Sequence, residues 1–168
     1  MRALTKEEKE TYYIRFLLNL GITIALMMTI FNFSAQPAPK SQAISDGIVY
    51  HAIVLFQKIV PTITFDTASF IVRKAAHFSE YLLLGFFMCK TVCYLKFLRN
   101  PSLIKPAGFI NICTTSWILA TIYAVSDEIH QSFVPGRSCE LRDMCIDACG
   151  ALLGVLIAWL FCRKQSTN

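Results

Sequence analysis

The sequence predicts an all-α, polytopic membrane protein: one domain over residues 1–168, with four transmembrane helices and one interfacial, amphipathic helix. Three observations predict it. Hydrophobic residues make up 55% of the chain and charged residues 16%, whereas a soluble globule averages roughly 45–50% apolar and about a quarter charged. The apolar residues come in runs without charge, such as Phe16 to Phe33, and not in alternation. The polar residues between the runs gather into a few dense blocks, the largest being Tyr123 to Asp143.

The first run, FLLNLGITIALMMTIFNF, follows a mixed-charge stretch with Lys6, Glu7, Glu8, Lys9, Glu10 and Arg15. At 1.5 Å per residue it extends roughly 27 Å, enough with its flanks to cross a bilayer core of about 30 Å. We place the first span at about 14–33. Small residues around Ser34-Ala35-Gln36 offer a rival reading as a cleaved signal peptide. The acidic leader and the length of the run favour an uncleaved span. Pro37 and Pro39 then break the helix. Residues 43–60 form a weakly amphipathic helix, with Ile44, Ile48, Val49, Ile53 and Phe56 at helical spacing, lying in the interface. His51 within it reads as a wet surface histidine. Asp66 or Thr67 caps a second span at about 70–98, in which Lys90 can snorkel. A basic turn from Arg99 to Lys105 leads to a third span at about 107–131, and the fourth runs over about 143–162.

Of the seven cysteines, most fall inside the apolar runs and read as small packing residues. The pairs Cys89/Cys93 and Cys145/Cys149 have i, i+4 spacing, which is no redox or zinc-ribbon signature. Cys139 alone sits in a predicted loop and is the one candidate for reactivity. The net charge of +5 does not point to nucleic acid, because the basic residues flank apolar runs instead of forming a stripe. Arg2, Lys6, Lys9, Arg15, Lys96, Arg99, Lys105, Arg163 and Lys164 gather on one side of the membrane. Lys40, Lys58, Arg73, Lys74, Arg137 and Arg142 fall on the other. The positive-inside rule then favours both termini in the cytoplasm.

That topology brings three charged stripes to the outer half of the membrane. Arg73, His77, Glu80 and Tyr81 share a face of the second span, at i, i+4, i+7 and i+8. Asp127, His130 and Gln131 share a face at the end of the third, beside Glu128. Asp143 and Asp147 share one at the start of the fourth, across a turn at Pro135-Gly136. Charges within a membrane are costly unless paired or wet, so the economical arrangement is one polar cavity. The same helix carries Gly150 and Gly154, a close-packing seam that suits an intrachain contact or a homodimer equally.

The motifs Arg73-Lys74-x-Ala76-His77-Phe78-x-Glu80-Tyr81 with Leu84-Gly85, Tyr123-Ala124-x-x-Asp127-Glu128-x-His130-Gln131-x-Phe133-x-Pro135-Gly136-Arg137, and Asp143-x-x-x-Asp147-x-x-Gly150 resemble those of the VanZ-like family. Phe33-Ser34-x-Gln36-Pro37 is similar too, so the resemblance covers the chain beyond its N-terminal stretch. Met144-Cys145 departs from it, where many relatives carry valine and an aliphatic residue. The resemblance implies a small multi-pass protein of the bacterial cytoplasmic membrane, from a family named for a protein associated with teicoplanin resistance.

Three readings of the polar cluster follow. In the first, the charges are interhelical pairs that fix helix register. In the second, Arg73, Lys74, Arg137 and Arg142 grip the phosphate or carboxylate of a membrane lipid or envelope precursor, with Tyr81, Gln131, Asp143 and Asp147 completing the ligand site. In the third, His77 or His130, with Glu80, Asp127 or Glu128, acts as general acid or base, or joins the carboxylates in holding a divalent metal. No cofactor is assigned. His77-x-x-Glu80 and Glu128-x-His130 are weak signals, and no nucleophile motif accompanies them. Charges confined to one half of the membrane leave no polar path across it, which argues against a channel.

Overall fold

The computed structural model describes residues 5–99 and 106–166. Among them are five helices, α1 (Lys6–Ser34), α2 (Ala38–Ile59), α3 (Phe65–Arg99), α4 (Pro106–Gln131) and α5 (Leu141–Ser166), and no strand. The expected basic turn beyond Arg99 lies outside the described residues. By length and composition α1, α3 and α5 can cross a membrane. α4, the expected third span, is a helix of 26 residues. Among the described residues it is not one of these three.

Several helix boundaries differ from the sequence reading, each for a local reason. α1 begins at Lys6, ahead of the expected start near residue 14, because Thr5 and Glu8 form a capping box. The Glu8 amide donates to Thr5 Oγ1 at 3.2 Å and the Thr5 amide to Glu8 Oε2 at 2.8 Å. α2 begins at Ala38, not near 43. Pro39 falls in its first turn, where no amide hydrogen is needed. For α3 the capping oxygen is that of Thr64, which accepts from the Thr67 amide at 3.2 Å; neither Asp66 nor Thr67 plays that part.

α3 is the hub, packed against α1, α2, α4 and α5. Its contact with α5 is parallel, since matched residue numbers rise together along both helices: Lys74 meets Asp143, Gly150 lies on Phe78 and Gly154 on Leu82; Gly85 packs on Ala151 in the same seam. A Cβ at any of the three glycines would overlap the facing backbone carbonyl. The Gly150/Gly154 seam is therefore taken up within the chain, joined by Gly85 from the opposite helix. Cys89, Cys93 and Cys162 are buried beside this seam with Val92, Phe97, Ile112, Val155 and Ala158, as packing cysteines should be. Cys139 is exposed, and so are Cys145 and Cys149; all seven thiols are free.

α4 is fastened from both sides. Trp117 Nε1 donates to the Ala148 carbonyl of α5 at 3.0 Å, and Tyr123 Oη donates to the Met27 carbonyl of α1 at 2.6 Å. α2 lies across α3 with Ser45 and Val49 buried. Ile44, Ile48, Tyr50, Val54, Leu55 and Ile59 are exposed, so α2 turns apolar side chains outward. His51 is exposed and meets only the Tyr50 ring edge-on. The Ala38 amide at the start of α2 donates to the Pro135 carbonyl at 3.2 Å. This bond ties α2 to the α4–α5 connection, where Gly136 has a φ of +76° that favours glycine.

Candidate functional site

The start of α3, the end of α4 and the start of α5 meet at one end of the bundle, so the three polar stripes do converge. They form four small constellations. In the first, Lys74 Nζ reaches both carboxylate oxygens of Asp143 at 2.6 Å and lies 3.9 Å from Glu140. Arg142 pairs with Glu140 at 2.6 Å and stands 3.9 Å from Asp143. Both cations of this group are thus matched by carboxylates.

The second constellation is the most enclosed. Glu128 and Asp147 have no exposed surface, and with His77 they bring one donor atom each to within 4.8 Å of one another. His77 Nδ1 is 3.6 Å from Asp147 Oδ1, beyond hydrogen-bond range. Glu128 Oε2 accepts the Glu140 amide at 3.0 Å. Its Oε1, both Asp147 oxygens and His77 Nδ1 are buried without a hydrogen-bond partner among the described residues.

In the third, Asp127 Oδ2 accepts from Ser34 Oγ at 2.6 Å and from Gln131 Nε2 at 3.1 Å. Gln131 Oε1 in turn accepts from Arg137 Nη1 at 3.0 Å, and Arg137 Nη2 reaches the Phe33 carbonyl at 3.4 Å. Burial lowers the pKa of the Arg137 guanidinium from its ordinary value, and the like charge of Arg73 acts in the same direction, against Asp127, Glu128 and Glu80. The fourth joins α2 to α3. Arg73 Nη1 donates to Gln42 Oε1 at 2.8 Å, and Gln42 Nε2 donates to Asp46 Oδ1 at 2.9 Å and to Ser69 Oγ at 3.1 Å. Ser69 Oγ also donates to Asp46.

Two adjoining cavities open among these groups. One, of about 210 Å³, is lined by Phe33, Ser34, Ser41, Arg73, His77, Glu80 and Arg137 among others. The other, of about 110 Å³, adds Lys74, Gln131, Glu140 and Asp143. Arg73, His77, Arg137 and Ser41 line both. Among the described residues neither Arg73 nor Arg137 has a carboxylate within ion-pair distance. Their partners, Gln42, Gln131 and the Phe33 carbonyl, are neutral. A family model, described as VanZ/LLP1, matches residues 19–162. The chain belongs to the VanZ family. That membership and the apolar helices of spanning length make it a membrane protein. No curated protein and no solved structure matches it.

This VanZ-family fold sorts the candidate residues. Arg73, His77, Glu80 and Arg137 reach the cavities together, as their stripe and turn predict. Lys74, Arg142 and Asp143 come to the same end but are occupied with one another. Tyr81 leaves the site: it is fully buried among Ile30, Leu84, Ala120, Ala124 and Ala151. His130 does not share the Asp127 and Gln131 face in practice, because its ring stacks on Phe31 of α1 with centroids 4.4 Å apart. Glu128, one residue and about 100° round the helix from Asp127, takes the place beside His77. Sequence reasoning missed Ser34 and Gln42, and placed Glu140 in the polar block without giving it a role. Ser34 sits in the Phe33–Pro37 motif, and Gln42 with Asp46 has the i, i+4 spacing that could have marked the second.

Proposed function

We propose that the paired cavities bind the anionic group, phosphate or carboxylate, of a membrane lipid or a cell-envelope molecule. The observation that carries this reading is the pair Arg73 and Arg137, two guanidiniums lining both cavities whose hydrogen-bond partners among the described residues are all neutral. Arginine suits such a group because its planar fork donates two parallel hydrogen bonds. Lys74 and Arg142, neutralised by Asp143 and Glu140, shape the rim instead of gripping the ligand. In this reading the protein sits in the bacterial cytoplasmic membrane with both termini inside, and the cavities face the outer leaflet. The family association with teicoplanin resistance fits a ligand from the envelope.

The test compares lipid retained by the purified protein after reconstitution with phosphatidylglycerol or with phosphatidylcholine. A charged hydrogen bond contributes about 1.5–3 kcal/mol, so Arg73→Gln with Arg137→Gln should lower preference for the anionic lipid at least tenfold. Glycopeptide sensitivity of cells carrying the variant should shift with it. Equal retention of both lipids by the wild type, or an unchanged preference in the folded variant, would overturn the reading. A second reading is acid–base catalysis on the bound molecule, favoured by His77 standing 3.6 Å from buried Asp147 at the wall of both cavities. Release of a product from a bound phosphoester or acyl lipid, lost in His77→Ala, is its signature.

A further inference from the structure

We infer that His77, Glu128 and Asp147 form a divalent metal site at the wall of the cavities. The three donors come from three helices, α3, α4 and α5, and converge to within 4.8 Å. Ligands placed tetrahedrally around a zinc-sized ion lie roughly 3.4 Å apart, so the observed spacing needs only a small inward movement to close.

Acidic clusters are common without an ion, and what distinguishes this one is its unmet bonding. Glu128 and Asp147 are wholly buried, yet among the described residues Glu128 Oε1 and both Asp147 oxygens have no hydrogen-bond donor, and His77 Nδ1 makes no hydrogen bond, standing 3.6 Å from Asp147 Oδ1. Buried carboxylate oxygens are ordinarily satisfied by donors or by a metal. The nearby cationic and amide donors are engaged elsewhere: Lys74 on Asp143, the Glu140 amide on the other oxygen of Glu128, and Arg137 on Gln131; the Tyr81 hydroxyl is buried and, like the carboxylates, has no hydrogen-bond partner among the described residues. A divalent cation would match the charge of two carboxylates beside a neutral imidazole.

The frame around the cluster is rigid. Gly150 sits one turn beyond Asp147 and packs on the Phe78 carbonyl, next to His77. The α3–α5 spacing is therefore fixed by backbone contact at the level of the ligands, as a preorganised site requires. One nitrogen and two oxygen donors suit Zn²⁺ or Mn²⁺ better than Mg²⁺ or Ca²⁺, which prefer oxygen alone. Three protein ligands leave a coordination position free, the pattern of a reactive rather than a structural centre.

This site stands apart from the anion reading, and the two fail separately. Full-length protein in detergent is stripped with a chelator, reloaded with Zn²⁺, dialysed and analysed by elemental mass spectrometry. We expect about one ion per chain for the wild type and also for Arg73→Gln/Arg137→Gln. Glu128→Gln/Asp147→Asn should retain less than a tenth of that, and His77→Ala should weaken binding at least tenfold. Retention by the carboxylate variant equal to the wild type, or no retention by either, overturns the inference. If the carboxylate variant does not fold, Co²⁺ titration of the wild type decides: a visible ligand-field band removed by Zn²⁺ supports the site, and no band overturns it.

Discussion

Replacing Gly154 by alanine tests the packing that holds the site together. A Cβ there would overlap the Leu82 carbonyl oxygen and come within 2.8 Å of the Phe86 amide nitrogen. Alanine is the better helix former by about 1 kcal/mol, so the substitution would stabilise the protein if space allowed. Overpacking costs about 1–3 kcal/mol. The upper end applies because the atoms met belong to peptide groups that cannot rotate aside. The balance is a loss of about 2 kcal/mol, or roughly thirtyfold in the ratio of folded to unfolded protein. Thermal unfolding in a fixed detergent, followed by helical circular dichroism, measures it. Gly21→Ala is the matched control: a Cβ on Gly21 meets nothing within 4 Å, so this variant should be neutral or more stable. A Gly154→Ala protein as stable as the wild type would refute the backbone contact and, with it, the fixed α3–α5 spacing.

Two further outcomes follow from the site. Lys74→Met leaves Asp143, only 10% exposed, without its hydrogen-bonded cation and with only Arg142 at 3.9 Å; it should cost about 3 kcal/mol, the lower end for a broken buried pair. Adding Asp143→Leu should recover most of that loss in the same unfolding assay. His130→Ala removes a ring stack on Phe31 and should cost about 1 kcal/mol while leaving anionic-lipid preference unchanged, because His130 does not line either cavity.

The positions of α1, α3 and α5 were legible from long, mostly apolar runs, because a bilayer sets a minimum apolar length. The meeting of three polar stripes was legible for a similar reason: helical period fixes which residues share a face, and the cost of membrane charge requires those faces to meet. Finer choices were not. Asp127 and Glu128 are adjacent in sequence but serve different constellations, and which one turns toward His77 depends on the rotation of α4 about its axis. That rotation is fixed by the Trp117 and Tyr123 hydrogen bonds to backbone carbonyls of α5 and α1, which leave no periodic trace. His130 was assigned to the site by spacing alone, and the presence of Phe31 opposite it was beyond such reasoning. Gly85 was visible within a motif, but its role appears only once α5 lies alongside.

The parallel pairing of α3 with α5 also sets an order of events during synthesis. Lys74 meets Asp143, 69 residues further along the chain, and His77 meets Asp147 at a similar remove. At roughly 5–20 residues per second, α3 leaves the ribosome several seconds before its counter-charges exist. During that interval its charged half must stay near water or be shielded by the insertion machinery, since alone in lipid it is unfavourable. The bundle is therefore completed only with its last helix, and a chain ending after α4 would hold Lys74 without Asp143 or Glu140 and His77 without Asp147.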